Sequence, residues 1–136
     1  MNYKITELNE LEVEDIENRL SDYDKPHINY NISGSIRIGV KHGDKLIAGV
    51  EASITAFKIL YISTVFVDEG YRNNKIGTLL MNEVEKRARL LGANMIRLDT
   101  FNWQGRDFYH SLNYEEVGYY ESKEEGFSEH FFLKRL

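Results

Sequence analysis

The segment from Val67 to Thr78, VDEGYRNNKIGT, has the composition of an anion-binding loop. It is predicted to join a buried strand to the first turn of an amphipathic helix. Backbone N–H groups at such a turn have no intrahelical acceptor, and the helix dipole adds partial positive charge. Arg72 and Lys75 add full charges, while Gly77 leaves the backbone bare so that a phosphate can approach closely. The segment therefore suits a pyrophosphate.

Two carboxylates lie in the middle of predicted strands, Glu51 within AGVEAS and Asp99 within IRLDT. A carboxylate that faces a cleft from a strand could act as a general base. Either residue could instead lie on a solvated strand face, with Asp99 paired to a nearby cation. The residues alone leave the base open between the two, with a slight preference for Glu51, and water could serve in their place.

Hydrophobic periodicity predicts the elements that would position these residues. Alternating or β-branched runs predict strands, and apolar residues at three- or four-residue spacing predict helices. The predicted strands span residues 3–6, 35–40, 46–56, 59–67, 95–101, 114–120 and 130–134, and the predicted helices span residues 8–20, 75–91 and 103–112. This order indicates an α/β fold (an α+β mixed sheet) with an antiparallel meander.

Length and composition favour one compact domain over residues 1–136, with 42% hydrophobic and 29% charged residues. The chain has no cysteine, which excludes disulfides, thiolate zinc sites and a cysteine nucleophile. No pair among its histidines has the spacing of metal ligands, so no metal is predicted.

The charge and hydropathy patterns bear on partners and location. The net charge of −5 argues against nucleic acid and favours a cationic or neutral substrate. No apolar run approaches the ~18 residues that span a membrane, and no signal-peptide core is present, so no membrane partner and a cytoplasmic location are expected.

The loop resembles the acetyl-CoA loop of the GNAT superfamily, whose pattern is Arg/Gln-x-x-Gly-x-Gly/Ala. This chain reads Arg72-Asn73-Asn74-Lys75-Ile76-Gly77, which matches at the first and last positions and has Lys75 in place of the first glycine. Asn74 and Lys75 could still adopt the turn, asparagine most easily. Lys75 could also contact a phosphate.

A second resemblance lies further along the chain. The family has an asparagine after the next strand, a small residue, a Phe-Tyr pair on a short helix and a glycine turn. Here Asn102, Gly105, Phe108-Tyr109 and Asn113-Tyr114 stand at matching offsets. Asn113 replaces the turn glycine and tolerates the left-handed conformation. The resemblance covers about residues 35–136.

The resemblance implies a mostly antiparallel sheet with flanking helices, in which a parallel strand pair splays apart. It implies that acetyl-CoA, as co-substrate, lies in that gap. Backbone N–H groups near Phe66 and Val67 would hold the pantetheine and the acetyl carbonyl. The phosphates would contact the loop and first helical turn, namely Arg72, Asn73, Asn74, Lys75, Ile76, Gly77 and Thr78.

The same resemblance assigns roles to two residues of the second motif. Tyr109 would be the acid toward the CoA sulfur and would border the cofactor, since a phenol pKa near 10 suits a thiolate leaving group. The alternative is a packed aromatic side chain. Asn102 would hydrogen-bond the pantetheine, or it would cap the following helix.

The function implied is N-acetyl transfer from acetyl-CoA to a primary amine of a small molecule or peptide, by direct transfer. The alternative is a non-catalytic acyl-CoA-binding or protein-interaction module on the same fold. Aromatic residues concentrate in the last third of the chain, where they could line an acceptor pocket or form the interface of a homodimer.

Overall fold

A computed structural model describes residues 1–28 and 31–136 and contains two compact units, 1–31 and 32–136. The first unit holds helix α1, Glu10–Asp24, which ends in a 3₁₀ turn, Lys25–His27. Asn9 begins this helix with a capping box: its Oδ1 accepts from the N–H of Glu12 at 2.8 Å, and the Glu12 carboxylate accepts from the N–H of Asn9 at 3.1 Å. The helix predicted at 8–20 is confirmed.

The strand predicted over residues 3–6 is wrong. Residues 1–9 form no strand, and Tyr3 and Ile5 are almost fully exposed. Four alternating residues are stable as a strand only beside a partner strand, and the described part of the chain provides none for them.

The second unit is a six-stranded mixed sheet with two helices, matching the predicted α/β class. The sheet order is β1-β2-β3-β4-β6-β5, and every neighbouring pair is antiparallel except β3 and β4. The elements are β1 Ser35–His42, β2 Lys45–Ile54, β3 Ile59–Val67, α2 Ile76–Leu91, β4 Met95–Phe101, α3 Arg106–Ser111, β5 Glu115–Ser122 and β6 Phe127–Arg135, with a 3₁₀ turn Glu69–Tyr71 before α2.

The core of this unit lies where the apolar face of α2 packs on the sheet. Leu80, Val84 and Ala88 lie at the predicted three- or four-residue spacing and are buried, and Met81 on the same face is buried as well. The helix ends at Gly92, whose φ of 94° is the left-handed conformation that glycine adopts most easily. Because α2 is anchored in this way, the position of its N-terminus is fixed relative to the strands.

The parallel pair separates after three residues. β3 pairs with β4 only from Ile59 to Tyr61, opposite Met95 to Arg97. Next along β3, Ser63 forms a bulge, since Ile62 and Thr64 lie opposite adjacent residues of β2. Beyond the bulge β3 pairs with β2 alone, and this is the expected splayed pair.

Within residues 1–28 and 31–136, no helix has the length and hydropathy to cross a bilayer. One domain over the whole chain stays a prediction.

Candidate active site

A cavity of about 790 Å³ opens where β3 and β4 separate. This volume falls in the range of small-molecule and cofactor sites. Its wall consists of the second half of β3, the loop and first turn of α2, the end of β4, and the turn and first residues that lead into α3. The lining residues include Ser63–Val67, Arg72, Asn73, Lys75–Thr78, Asp99–Phe101, Trp103–Gly105 and Phe108.

One end of the cavity is the N-terminus of α2. The first backbone bond of that helix runs from the N–H of Leu79 to the carbonyl of Lys75, at 3.0 Å. The backbone N–H groups from Asn73 to Thr78 have no acceptor in residues 1–28 and 31–136, and no side chain caps the helix. This run of unpaired donors at the positive end of a 16-residue helix has the geometry that suits an anion.

The loop reaches this geometry through two residues with positive φ. Asn73 has φ of 67° and Lys75 has φ of 62°, whereas Asn74 does not lie in that region. Lys75 thus stands in the left-handed conformation at the position where the family pattern has glycine, which explains the preference for glycine there. Its side chain is exposed and has no ion-pair partner in the described chain.

Arg72 is held at the carboxyl end of β3. Its Nε donates to the carbonyl of Val67 at 2.8 Å, and its guanidinium lies 5.6 Å from the centre of the Phe66 ring. The other N–H groups of the guanidinium have no acceptor among the described residues and could bind a ligand. A cation fixed in this way beside the N-terminus of α2 adds to the positive potential of this end.

Gly77 has a packing role that the sequence did not reveal. A Cβ at this position would lie 3.0 Å from Cζ of Phe108 and 3.2 Å from Cε1. The first turn of α2 therefore packs directly on the ring from α3. The absence of a side chain permits this contact in addition to the close approach of an anion.

The free edge of β3 faces the cavity. The N–H of Asp68 donates to the carbonyl of Ile47 on β2 at 2.8 Å. Because backbone groups alternate along an antiparallel strand, Phe66 also directs its N–H toward β2. Val65 and Val67 direct theirs away from β2, into the gap. The sequence predicts that Phe66 and Val67 direct N–H groups toward the cofactor. The N–H of Val67 does point into the gap, whereas the other N–H in the gap belongs to Val65 and not to Phe66.

The two candidate bases lie in different places. Asp99 lines the cavity, and its carboxylate accepts a hydrogen bond from the hydroxyl of Tyr61 at 3.0 Å. Burial, and then this hydrogen bond and the charge of Asp99, raise the pKa of Tyr61. Glu51 is exposed on β2 opposite Arg37, in a separate shallow groove. The structure thus brings Asp99 to the cavity and leaves Glu51 outside it.

Comparison with known proteins identifies the family. The chain matches the model of the Acetyltransferase (GNAT) family over residues 4–114. It belongs to that family. Family membership makes the chain an acyltransferase, and it confirms the predicted resemblance to the GNAT superfamily. Among curated proteins, the comparison found no match.

Solved structures agree with the GNAT assignment. An acetyltransferase from Bacillus cereus is 31% identical, with a TM-score of 0.91 over 98% of both chains. A protein assigned as an acetyltransferase from Agrobacterium tumefaciens is 24% identical, with a TM-score of 0.78 over 100% of both chains. An aminoglycoside 6′-N-acetyltransferase complexed with coenzyme A is 21% identical, with a TM-score of 0.64 over 74% of this chain and 72% of that one. The last two show the fold.

The tyrosine of the second GNAT motif is buried behind the cavity wall. Tyr109 is 7% exposed and packs against Phe108, Tyr114 and Phe132. Its ring also borders Gly105 of the cavity wall, where a Cβ would lie 3.0 Å from Cε2. Burial raises the pKa of Tyr109 to about 12, above the value near 10 assumed from the sequence.

The asparagine of that motif joins two strands. Oδ1 of Asn102 accepts from the N–H of Ser128 at 2.8 Å, so that Asn102 extends the pairing of β4 with β6. It does not cap α3, whose N-cap is Gly105. Its side chain is exposed and does not line the cavity, and its amide nitrogen has no acceptor among the described residues.

The turn between β4 and α3 contains wall residues that the sequence did not single out. The side chain of Gln104 accepts from the N–H of Phe101 at 2.7 Å, and Oγ1 of Thr100 accepts from the N–H of Gly105 at 3.1 Å. These bonds fix the wall opposite β3. These hydrogen bonds depend on how the turn folds, so the spacing of apolar residues in the sequence does not indicate them.

Proposed function

We propose that this GNAT protein is an N-acetyltransferase that moves an acetyl group from acetyl-CoA to a primary amine by direct transfer. The observation that carries the proposal is the cavity between β3 and β4, which ends at the unpaired N–H groups from Asn73 to Thr78. The aminoglycoside acetyltransferase of the same fold, solved with coenzyme A, supports coenzyme A as the ligand.

The donor would lie along β3. Its pyrophosphate would accept from the N–H groups at the start of α2, with Arg72 and Lys75 adding charge. Its pantetheine amides would pair with the free edge of β3 at Val65 and Val67, as a further strand would. This arrangement would bring the thioester to the point where the two strands separate.

The acceptor would attack from the Asp99 side. The amine nitrogen forms a bond to the acetyl carbon as the carbon–sulfur bond breaks, and the nitrogen loses a proton. Asp99 would take that proton, directly or through one water molecule. Tyr109 would supply a proton to the departing thiolate; its raised pKa keeps the phenol protonated across the physiological range.

A titration and an assay test this function. Isothermal titration with acetyl-CoA, with coenzyme A as control, should show one-to-one binding at micromolar concentration. Thiol release with a panel of primary amines should then show turnover. Binding without turnover on any amine would favour the non-catalytic acyl-CoA-binding module.

Matched variants identify the base. Asp99→Asn should lower kcat by about 100-fold, the usual contribution of general base catalysis. Glu51→Gln should lower it much less, because Glu51 lies outside the cavity. A larger loss in the Glu51 variant would assign the role of base to that residue.

A cytoplasmic location and a homodimer stay predictions.

A further inference from the structure

The sheet surface beside the cavity carries a second carboxylate close to Asp99. Asp99 of β4 lies opposite Phe131 of β6, and Phe101 of β4 lies opposite Glu129. Asp99 and Glu129 are therefore diagonal neighbours whose side chains lie on the same face of the sheet. Asp99 and Phe101 both line the cavity. The carboxylate of Asp99 therefore lies at the cavity wall, and Glu129 lies beside that wall, opposite Phe101.

Each of these carboxylates is oriented by a tyrosine and has no counter-ion in the described part of the chain. The hydroxyl of Tyr61 donates to Asp99 at 3.0 Å, and the hydroxyl of Tyr120 donates to Glu129. Neither carboxylate forms an ion pair within the described ranges. The nearby guanidinium of Arg97 lies over the Tyr61 ring, 4.4 Å from its centre. One phenol donor leaves each carboxylate with spare acceptor capacity.

Aromatic rings flank the two carboxylates on the same face of the sheet. Phe131 is 37% exposed and Tyr120 is 47% exposed, with their ring centres 6.1 Å apart. Phe101 and Phe127 form an edge-to-face pair on the same side. Carboxylates and ring faces in alternation recognise ammonium groups, through charge-assisted hydrogen bonds and cation–π contacts together.

We propose that the acceptor is a diamine or polyamine, with its reacting amine at Asp99 and a second ammonium group at Glu129. This inference rests on the proposed N-acetyl transfer. Diagonal positions in a sheet are about 7–8 Å apart, which suits two amines joined by a short aliphatic chain. The rings of Phe101 and Phe131, on the other diagonal of the same two residue pairs, would cover that aliphatic chain. The net charge of −5 would attract such a cation.

Only one of the two amines of the acceptor takes part in the chemical step. The nitrogen beside Asp99 binds as an ammonium group and gives up two protons, one before it attacks and one as its new bond to the acetyl carbon replaces the carbon–sulfur bond. The departing thiolate takes up one proton and one is released, while the distal nitrogen keeps its charge and its contact with Glu129. A single acetylation removes one of the two charges, so the product binds less tightly than the substrate and can leave.

The test compares kcat/KM for 1,4-diaminobutane and for butylamine, which differ in the second amine. The diamine should be preferred by about fivefold or more, as expected for one partly exposed charge pair. Glu129→Gln keeps an acceptor for the Tyr120 hydroxyl and removes the charge, so the preference should fall to about one. Glu121→Gln, an exposed change on the opposite face of β5, should leave the preference as it is in the wild type.

The outcomes separate this inference from the proposed function. Equal kcat/KM for both amines, or a preference that persists in Glu129→Gln, would overturn the diamine assignment while leaving N-acetyl transfer intact. If no amine is acetylated, N-acetyl transfer fails, and calorimetry of 1,4-diaminobutane with the acetyl-CoA-bound protein decides the site. Binding that disappears in Glu129→Gln supports the site, and no binding to the wild type overturns it.

Discussion

Lys75 allows the backbone and the charge of the loop to be tested separately. With φ of 62°, it holds a conformation that costs a residue other than glycine about 1–2 kcal/mol. Lys75→Gly removes that cost, but it also gives the unfolded chain more freedom, which offsets about 0.4–1 kcal/mol. We expect a net rise in the free energy of unfolding of about 0.5–1 kcal/mol, or about 2–4 °C in Tm.

Lys75→Met keeps the strained backbone and removes only the ammonium group. Its free energy of unfolding should match that of the wild type, because the lysine side chain is exposed and has no partner in the described chain. Its affinity for acetyl-CoA should fall about fivefold at low salt, the contribution of one exposed charge pair with a phosphate. The difference should shrink as salt rises, since salt screens exposed charges.

Urea unfolding measures the first effect, and calorimetric titration with acetyl-CoA at two salt concentrations measures the second. Lys86→Met is the matched control, because Lys86 is exposed on α2 and does not line the cavity. If Lys75→Gly is no more stable than the wild type, the argument from backbone strain is wrong. If Lys75→Met binds acetyl-CoA as tightly as the control does, the ammonium group has no part in binding.

Three further predictions concern other parts of the site and its support. Gly77→Ala should weaken acetyl-CoA binding about tenfold, because the new methyl group displaces the Phe108 ring into the cavity. The control is Gly70→Ala, which should bind acetyl-CoA normally in the same titration because the space around its new Cβ is open. Tyr109→Phe should lower kcat without weakening acetyl-CoA binding, and since burial raises the pKa of Tyr109 to about 12, the pH profile of wild-type kcat should show no descending limb near pH 10. The arginine that begins α3 pairs with Glu116 and lowers the pKa of that carboxylate. The stabilisation from this pair is therefore present above the ordinary pKa of 4.5 and is lost as pH falls through the lowered one. Glu116→Gln should cost less than about 1 kcal/mol in urea unfolding at pH 7, and this cost should shrink as the pH is lowered below 4.5.

The long periodic elements could be predicted from the sequence because their own residues determine them. The helix predicted at 75–91 is observed as Ile76–Leu91, and the strand predicted at 95–101 is observed as Met95–Phe101. Boundaries shifted where side chains formed turns. The helix predicted from 103 begins at Arg106, because Gln104 and Thr100 accept from the backbone N–H groups of the preceding turn.

The two ends of the site differed in how far they could be predicted. The donor end is continuous in sequence, so its charges, its glycine and its left-handed lysine could be found within one short loop. The acceptor end depends on the register of β3, β4 and β6. Tyr61 and Asp99 are distant along the chain, and nothing in a single strand indicates that one donates to the other or that Glu51 lies outside the cavity.

The bulge at Ser63 connects both ends of the site. Because β3 stops pairing with β4 there, the N–H groups of Val65 and Val67 are left free for the donor. The same separation exposes Asp99 at the edge of the gap, where it can meet the acceptor. Had the two strands stayed paired to their ends, β4 would have taken up those N–H groups and closed the cavity. The extra residue in β3 thus lies at the point where the proposed donor site and the candidate base meet.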